Sequence, residues 1–209
     1  MFAVVLLTSY LLGSIPFSYM VGRIAGIDIR KVGSRNLGAT NVTRTLGKAY
    51  GYPVFALDFL KGLAAVRLSI LIAERTPGMS VSPQIAGMVA AVFCVIGHSF
   101  PIWLRFKGGK GVATSAGSLF GLMPAALVIG AIVWLLTFQI TRFVSLASIV
   151  AAIVLPLAIF ILLVLNHATS YALFYFSVGL AALIIVRHRA NLSRLIRGTE
   201  PRFIRSEHR

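Results

Sequence analysis

Residues 105–117 read RFKGGKGVATSAG: three cations and four glycines in thirteen positions, set between two apolar runs. Glycine lets backbone N–H groups approach a ligand closely, and lysine adds charge. The order is not that of the nucleotide-binding loop G-x-x-x-x-G-K-[ST], because Gly111 follows Lys110 and the flanks read as helix, not strand. The physics of that loop is present all the same. A helix predicted from Val112 would turn free N–H groups and the positive end of its dipole toward an anion. The candidate ligands here are His98, Lys107, Gly108, Gly109, Lys110, Gly111 and Thr114.

Two further segments carry matching chemistry. VGSRNLGATNVTRTLGK, residues 32–48, brings Ser34, Asn36, Thr40, Asn41 and Arg44 together with three glycines. Small hydroxyl and amide groups suit an oxyanion, and the planar fork of Arg44 suits phosphate. VRHRANLSRLIRGTEPR, residues 186–202, puts Asn191 three places after His188, so the two would share a face if the preceding helix ran on. Each of these two segments also reads as a basic loop that fixes membrane orientation. Asp58 and Lys61, spaced i, i+3, read as a structural ion pair.

The elements that must hold these segments are set by composition. Of 209 residues 58% are hydrophobic and 12% charged, with a mean hydropathy of +0.90, which excludes a soluble domain. A net charge of +15 is compatible with a nucleic-acid partner, but in an apolar chain it belongs to cytoplasmic loops and anionic headgroups. The single cysteine, Cys94, rules out a disulfide framework and a thiolate metal site. Apolar runs predict spans at 2–22, 53–73, 84–104, 112–122, 124–140, 143–165 and 170–186. The first lacks a basic start and a cleavage site and is expected to be retained. With seven spans and the N-terminus outside, all of the 20 Lys and Arg residues except Lys61, Arg67 and Arg75 fall on one face. Joining 112–140 into one span would move Arg142 and the basic tail across the membrane, against the positive-inside tendency. The expectation is an all-α integral membrane protein of seven helices, N-out and C-in, forming one domain over 1–209.

Taken together, the motifs GSRNLGATNVTR from Gly33, GHSFPIWLRFKGGKGVAT from Gly97 and RHRANLSRLIRGTE from Arg187 resemble those of the acyl-phosphate-dependent glycerol-3-phosphate acyltransferases, the PlsY family. LLGSIPFSY and LDFLKG fit as well, so the resemblance spans nearly the whole chain. It implies an enzyme of the bacterial cytoplasmic membrane that moves an acyl group from acyl phosphate to the 1-position of sn-glycerol 3-phosphate, with its active site facing the cytoplasm. It also implies that Ser34, Arg44, Lys110, His188 and Asn191 serve the glycerol phosphate site, with Ser34, Lys110 and His188 central to positioning and charge stabilisation. Arg35 stands where the family usually has glycine, and Ala190 where an acidic residue is frequent.

The residues are consistent with that chemistry. An acyl phosphate is already activated, and the three motifs hold no carboxylate before Glu200 and no Ser-His-Asp triad. Catalysis is expected to rest on positioning and charge neutralisation, with a substrate phosphate oxygen accepting the proton ahead of a histidine. The His-x-x-x-x-Asp pair common in acyl-CoA and acyl-carrier-protein enzymes is missing: Trp103, Ala172 and Ser193 follow His98, His167 and His188 at that spacing. No metal or other cofactor is expected, no nucleic acid, and a monomer is expected to suffice. The competing class is a transporter or channel for a phosphate-bearing anion, which would want polar groups at mid-depth in several spans.

Overall fold

A computed structural model describes residues 2–76, 78, 81–165 and 170–203. His167 lies outside these residues. The described residues are helical, without strands, and divide into two compact units, Met1–Pro124 and Ala125–Arg209.

The first unit begins with α1 (Phe2–Ser14) and α2 (Phe17–Ile24), one apolar span of 23 residues interrupted before Pro16. Proline has no N–H to continue the ladder, and the chain turns there: the Phe17 N–H donates to the Ile15 carbonyl at 3.2 Å and the Tyr19 N–H to the Pro16 carbonyl at 3.0 Å. α3 (Ala39–Leu46) and α4 (Lys48–Glu74) follow, separated by Gly47 at φ 89°. α5 (Pro83–Ser99) starts at Ser82, whose hydroxyl accepts the Ile85 N–H at 3.3 Å, with proline in the first turn. A 3₁₀ turn (Ile102–Leu104) leads to the glycine loop and α6 (Val112–Leu122).

Helix contacts in this unit are made through residues without a side chain. A Cβ at Gly13 would collide with the Cys94 carbonyl, joining α1 to α5, and one at Gly117 would collide with the Phe59 carbonyl, joining α6 to α4. Such close backbone approach supplies the packing that lipid cannot drive by hydrophobicity. A separate apolar cluster of Ile29, Leu37, Val42, Val54 and Leu104 fastens the 25–38 loop and α3 onto α4.

The second unit contains α7 (Pro124–Thr141), α8 (Val144–Val164), α9 (Tyr171–Arg187) and α10 (Arg189–Ile196). Arg142, at φ 61°, makes the tight turn between α7 and α8. Ser170 caps α9 by accepting the Leu173 N–H at 3.2 Å.

Each predicted span corresponds to a helix or a broken pair, but among the described residues four helices are long and apolar enough to cross a membrane, or five if the bent pair α9–α10 counts as one span. The chain is an all-α integral membrane protein. α4 is not among the four: it carries Asp58, Lys61 and Arg67, although its 27 residues reach about 40 Å. α6, with 11 residues, covers only about 17 Å against a core of about 30 Å. Two short polar helices, α3 and α10, lie in stretches that have no apolar run to announce them. The final helix does not run on past His188: it bends by 61° between α9 and α10.

Candidate functional site

The glycine loop doubles back on the end of α5. The Gly108 N–H donates to the Ser99 carbonyl at 3.2 Å and the Gly109 N–H to the His98 carbonyl at 3.1 Å. Non-helical backbone packed between apolar helices needs its polar groups satisfied by protein, and these two bonds do so for Gly108 and Gly109. Gly109 is buried against the His98 ring and the Leu37 carbonyl, and a Cβ there would collide with both. Gly111 takes φ 81° as it opens α6, and the Ser115 N–H donates to its carbonyl at 2.7 Å. The hydroxyls of Ser99, Thr114 and Ser115 are fully buried and have no hydrogen-bond partner among the described residues. A Cβ at Gly111 would lie 3.6 Å from the Ser99 hydroxyl and 3.9 Å from that of Ser115. Buried polar atoms are normally paired, so unpaired hydroxyls around the first turn of a helix mark a place where an oxygen-rich ligand or water gains bonds.

The 32–48 segment makes a loop clasped from within. Asn41, 2% exposed, accepts the Ser34 N–H at 2.8 Å through Oδ1 and donates through Nδ2 to the carbonyls of Ile29 and Val32, both at 3.2 Å. Its amide is therefore engaged by the loop and sets where Ser34 stands. Ser34 is exposed, while Asn36, Thr40 and Arg44 are half-buried. Arg35 sits at φ 58°, the left-handed region that favours glycine, which gives a physical reason for the family's usual residue at this place. Nearby, Asp28 takes a bidentate contact from Arg30, at 2.8 and 2.9 Å, and hydrogen bonding from Arg30 holds its carboxyl at about 2.

The structure brings to the first unit's loop two groups that motif reading set aside. Asp58 and Lys61, on α4, are paired at 2.8 Å, and the Asp58 carboxylate also faces His98 Nδ1 at 3.4 Å. The carboxylate–histidine arrangement absent at the sequence spacing thus exists between two helices. The LDFLKG stretch was the available signal, an acid and a base inside an apolar span, where ionisable groups are costly and usually functional.

In the second unit His188 is 3% exposed and its Nδ1 lies 2.8 Å from the Ile184 carbonyl, so that nitrogen carries the proton. Asn191, 6% exposed, donates to Glu200 Oε1 at 2.7 Å. Glu200 also accepts from the Ser145 hydroxyl and from Arg194 Nε, each at 2.7 Å. Burial would push this carboxyl up, but the bonds from Ser145, Asn191 and Arg194 outweigh it and hold it below the usual carboxylate range. Among the described residues no group of three or more His, Cys, Asp and Glu could hold a metal ion.

Residues 3–198 match the family described as Glycerol-3-phosphate acyltransferase. The glycerol-3-phosphate acyltransferase of Desulforamulus reducens is 44% identical over 94% of this chain and 92% of its own length. That of Aquifex aeolicus is 44% identical over 93% of this chain and 95% of its own. The fold matches crystal structures of PlsY, an integral membrane glycerol 3-phosphate acyltransferase, in two forms. The glycerol 3-phosphate form gives a TM-score of 0.85 and 41% identity over 97% of this chain and 96% of that one. The lysophosphatidic acid form gives 0.83 and 40% over 97% and 95%. Similarity along almost the full length, in sequence and in fold together, establishes that this chain belongs to the glycerol-3-phosphate acyltransferase family.

Proposed function

We propose that the chain transfers a fatty acyl group from acyl phosphate to the 1-position of sn-glycerol 3-phosphate, giving lysophosphatidic acid and inorganic phosphate. The glycerol hydroxyl attacks the acyl carbon, the new ester C–O bond forms, and the bond from that carbon to the phosphate oxygen breaks. The hydroxyl proton passes to a phosphate oxygen of the substrates, so the protein need not supply a strong base.

One observation carries this reading: a glycine-lysine loop anchored by its own backbone, opening a helix N-terminus beside three buried hydroxyls that are unpartnered among the described residues. The first-turn N–H groups of α6, its dipole and the charge of Lys110 together favour a phosphate there. Ser34, Lys110 and His188 position the reactants and neutralise charge. Asn36, Thr40, Asn41, Arg44, His98, Lys107, Gly108, Gly109, Gly111, Thr114 and Asn191 complete the binding of two phosphate-bearing substrates. Among these, Asn41 and Asn191 act through the loop and the carboxylate that their amides hold. No metal or other cofactor takes part.

The chain works as a single seven-span domain in the bacterial cytoplasmic membrane, as a monomer, with N-terminus outside and site facing the cytoplasm. The 27-residue α4 and the short α6 with its glycine-rich entry supply the spans that apolar length alone leaves out. The near-complete gathering of cations on one face supports the orientation.

The test is phosphate release from palmitoyl phosphate plus glycerol 3-phosphate by the purified chain in detergent. Ser34→Ala and Lys110→Ala are expected to lower turnover about 100-fold or more, the scale of losing a preorganised charge-stabilising group. Near-normal turnover in both variants contradicts the assigned site.

A further inference from the structure

The glycine loop rests on a buried ion cluster that acyl transfer from a mixed anhydride does not itself require. Asp58 and Lys61 have side chains only 3% and 2% exposed. Lys61 Nζ donates to the Ile15 carbonyl at the break before Pro16, at 3.0 Å, and lies 5.5 Å from the centre of the Phe17 ring. Asp58 accepts from this lysine and faces His98. The other edge of the His98 ring, Nε2 and Cε1, abuts Gly109 closely enough to leave no room for a Cβ. A small cleft lies at the junction, lined by Ser14, Asp58, His98, Gly108 and Gly109 among others. The Ser14 hydroxyl at its edge is fully buried and unpartnered among the described residues.

Stability alone does not account for this arrangement. Taking two charges out of solvent costs several kcal/mol per ion, and well-packed apolar side chains of similar volume usually serve as well or better. What apolar residues cannot do is fix the plane of an imidazole. We propose that Asp58 is a positioning residue for the anion loop: held by Lys61, its carboxylate orients His98, and the His98 ring holds Gly108–Gly111 in the backbone shape that receives phosphate. This deepens the reading of that loop as a phosphate cradle and rests on it.

The experiment uses the full chain in detergent, with the unfolding temperature and the separate KM and kcat for palmitoyl phosphate and glycerol 3-phosphate as readouts. Asp58→Asn alone leaves the Lys61 charge buried without its partner and is expected to lower the unfolding temperature. Asp58→Asn with Lys61→Met removes both charges and is expected to restore that temperature. A misplaced loop nevertheless keeps KM for at least one phosphate substrate raised about tenfold or more. Asp58→Glu is expected to regain part of the lost affinity. A double variant with native KM and kcat overturns the proposal, because Asp58 would then only neutralise Lys61. His98→Ala leaves the ion pair intact and covers the case in which the double variant does not fold. It is expected to raise the same KM, with Asp58→Asn adding little on top, and an unchanged KM overturns the proposal equally. Lys110→Ala separates this failure from that of the cradle itself: if it too is silent, the loop does not bind phosphate, whereas a strong Lys110 effect beside silent Asp58 and His98 variants refutes only the positioning role.

Discussion

At the scale of single residues, side chains of similar chemistry divide into those offered outward and those consumed by the fold. Ser34 and Asn41 stand in one motif, yet Ser34 is exposed while the Asn41 amide is spent on three backbone groups. Asn41→Ala strips partners from the Ser34 N–H and from two carbonyls. It is expected to destabilise the chain by about 2–3 kcal/mol, the scale of leaving buried polar groups unsatisfied. Thermal unfolding in detergent would register that loss, and an unchanged midpoint would mean that the loop finds other partners. Residue type made such positions legible as candidates, but only geometry separates a ligand from a clasp. The same holds for Asp58 and His98, whose pairing joins residues far apart in sequence across two helices and is invisible to any motif spacing. Arg35 is the reverse case: its positive φ is a conformation that favours glycine, so the departure noted in the sequence carries a backbone cost at this place.

At the scale of elements, the apolar runs predicted the long helices because a bilayer-spanning segment is written in composition. α3 and α10 were not legible, since ATNVTRTL and RANLSRLI are short and polar, have no side-chain N-cap, and are helical through packing against their neighbours. Nor does sequence periodicity foretell the bend at His188. Glu200 governs the α10 end, tying Ser145 on α8 to Asn191 and Arg194 on α10. Its carboxyl is lower in the folded state than in the unfolded chain, so its contribution is complete above the ordinary value of about 4.3 and is lost as pH falls through the lowered one. Acidification below about pH 4 is expected to depress the unfolding temperature of the native chain. Glu200→Gln should start lower at neutral pH and show a shallower acid dependence. Equal acid dependence in the two proteins would remove Glu200 from the account.

At the scale of the whole molecule, a chain composed for lipid carries glycine- and cation-rich segments suited to phosphate. In the proposed reaction both substrates carry phosphate, and one of them also carries an acyl chain that only an apolar surrounding accommodates. A glycine loop opening the 11-residue α6 sets a helix N-terminus between apolar segments, where the proposed phosphate site lies. The absence of the histidine–carboxylate spacing of thioester-using enzymes pointed the same way, and the Asp58–His98 contact does not restore that pattern, since it packs the ring against Gly109. The donor is thus the central claim, and it is tested most directly by offering the purified chain palmitoyl phosphate, palmitoyl-CoA and palmitoyl-acyl carrier protein side by side with glycerol 3-phosphate and measuring lysophosphatidic acid. The account predicts product from palmitoyl phosphate, with one inorganic phosphate released per ester formed, and none from the two thioesters. Product from either thioester while palmitoyl phosphate stays inert would contradict it.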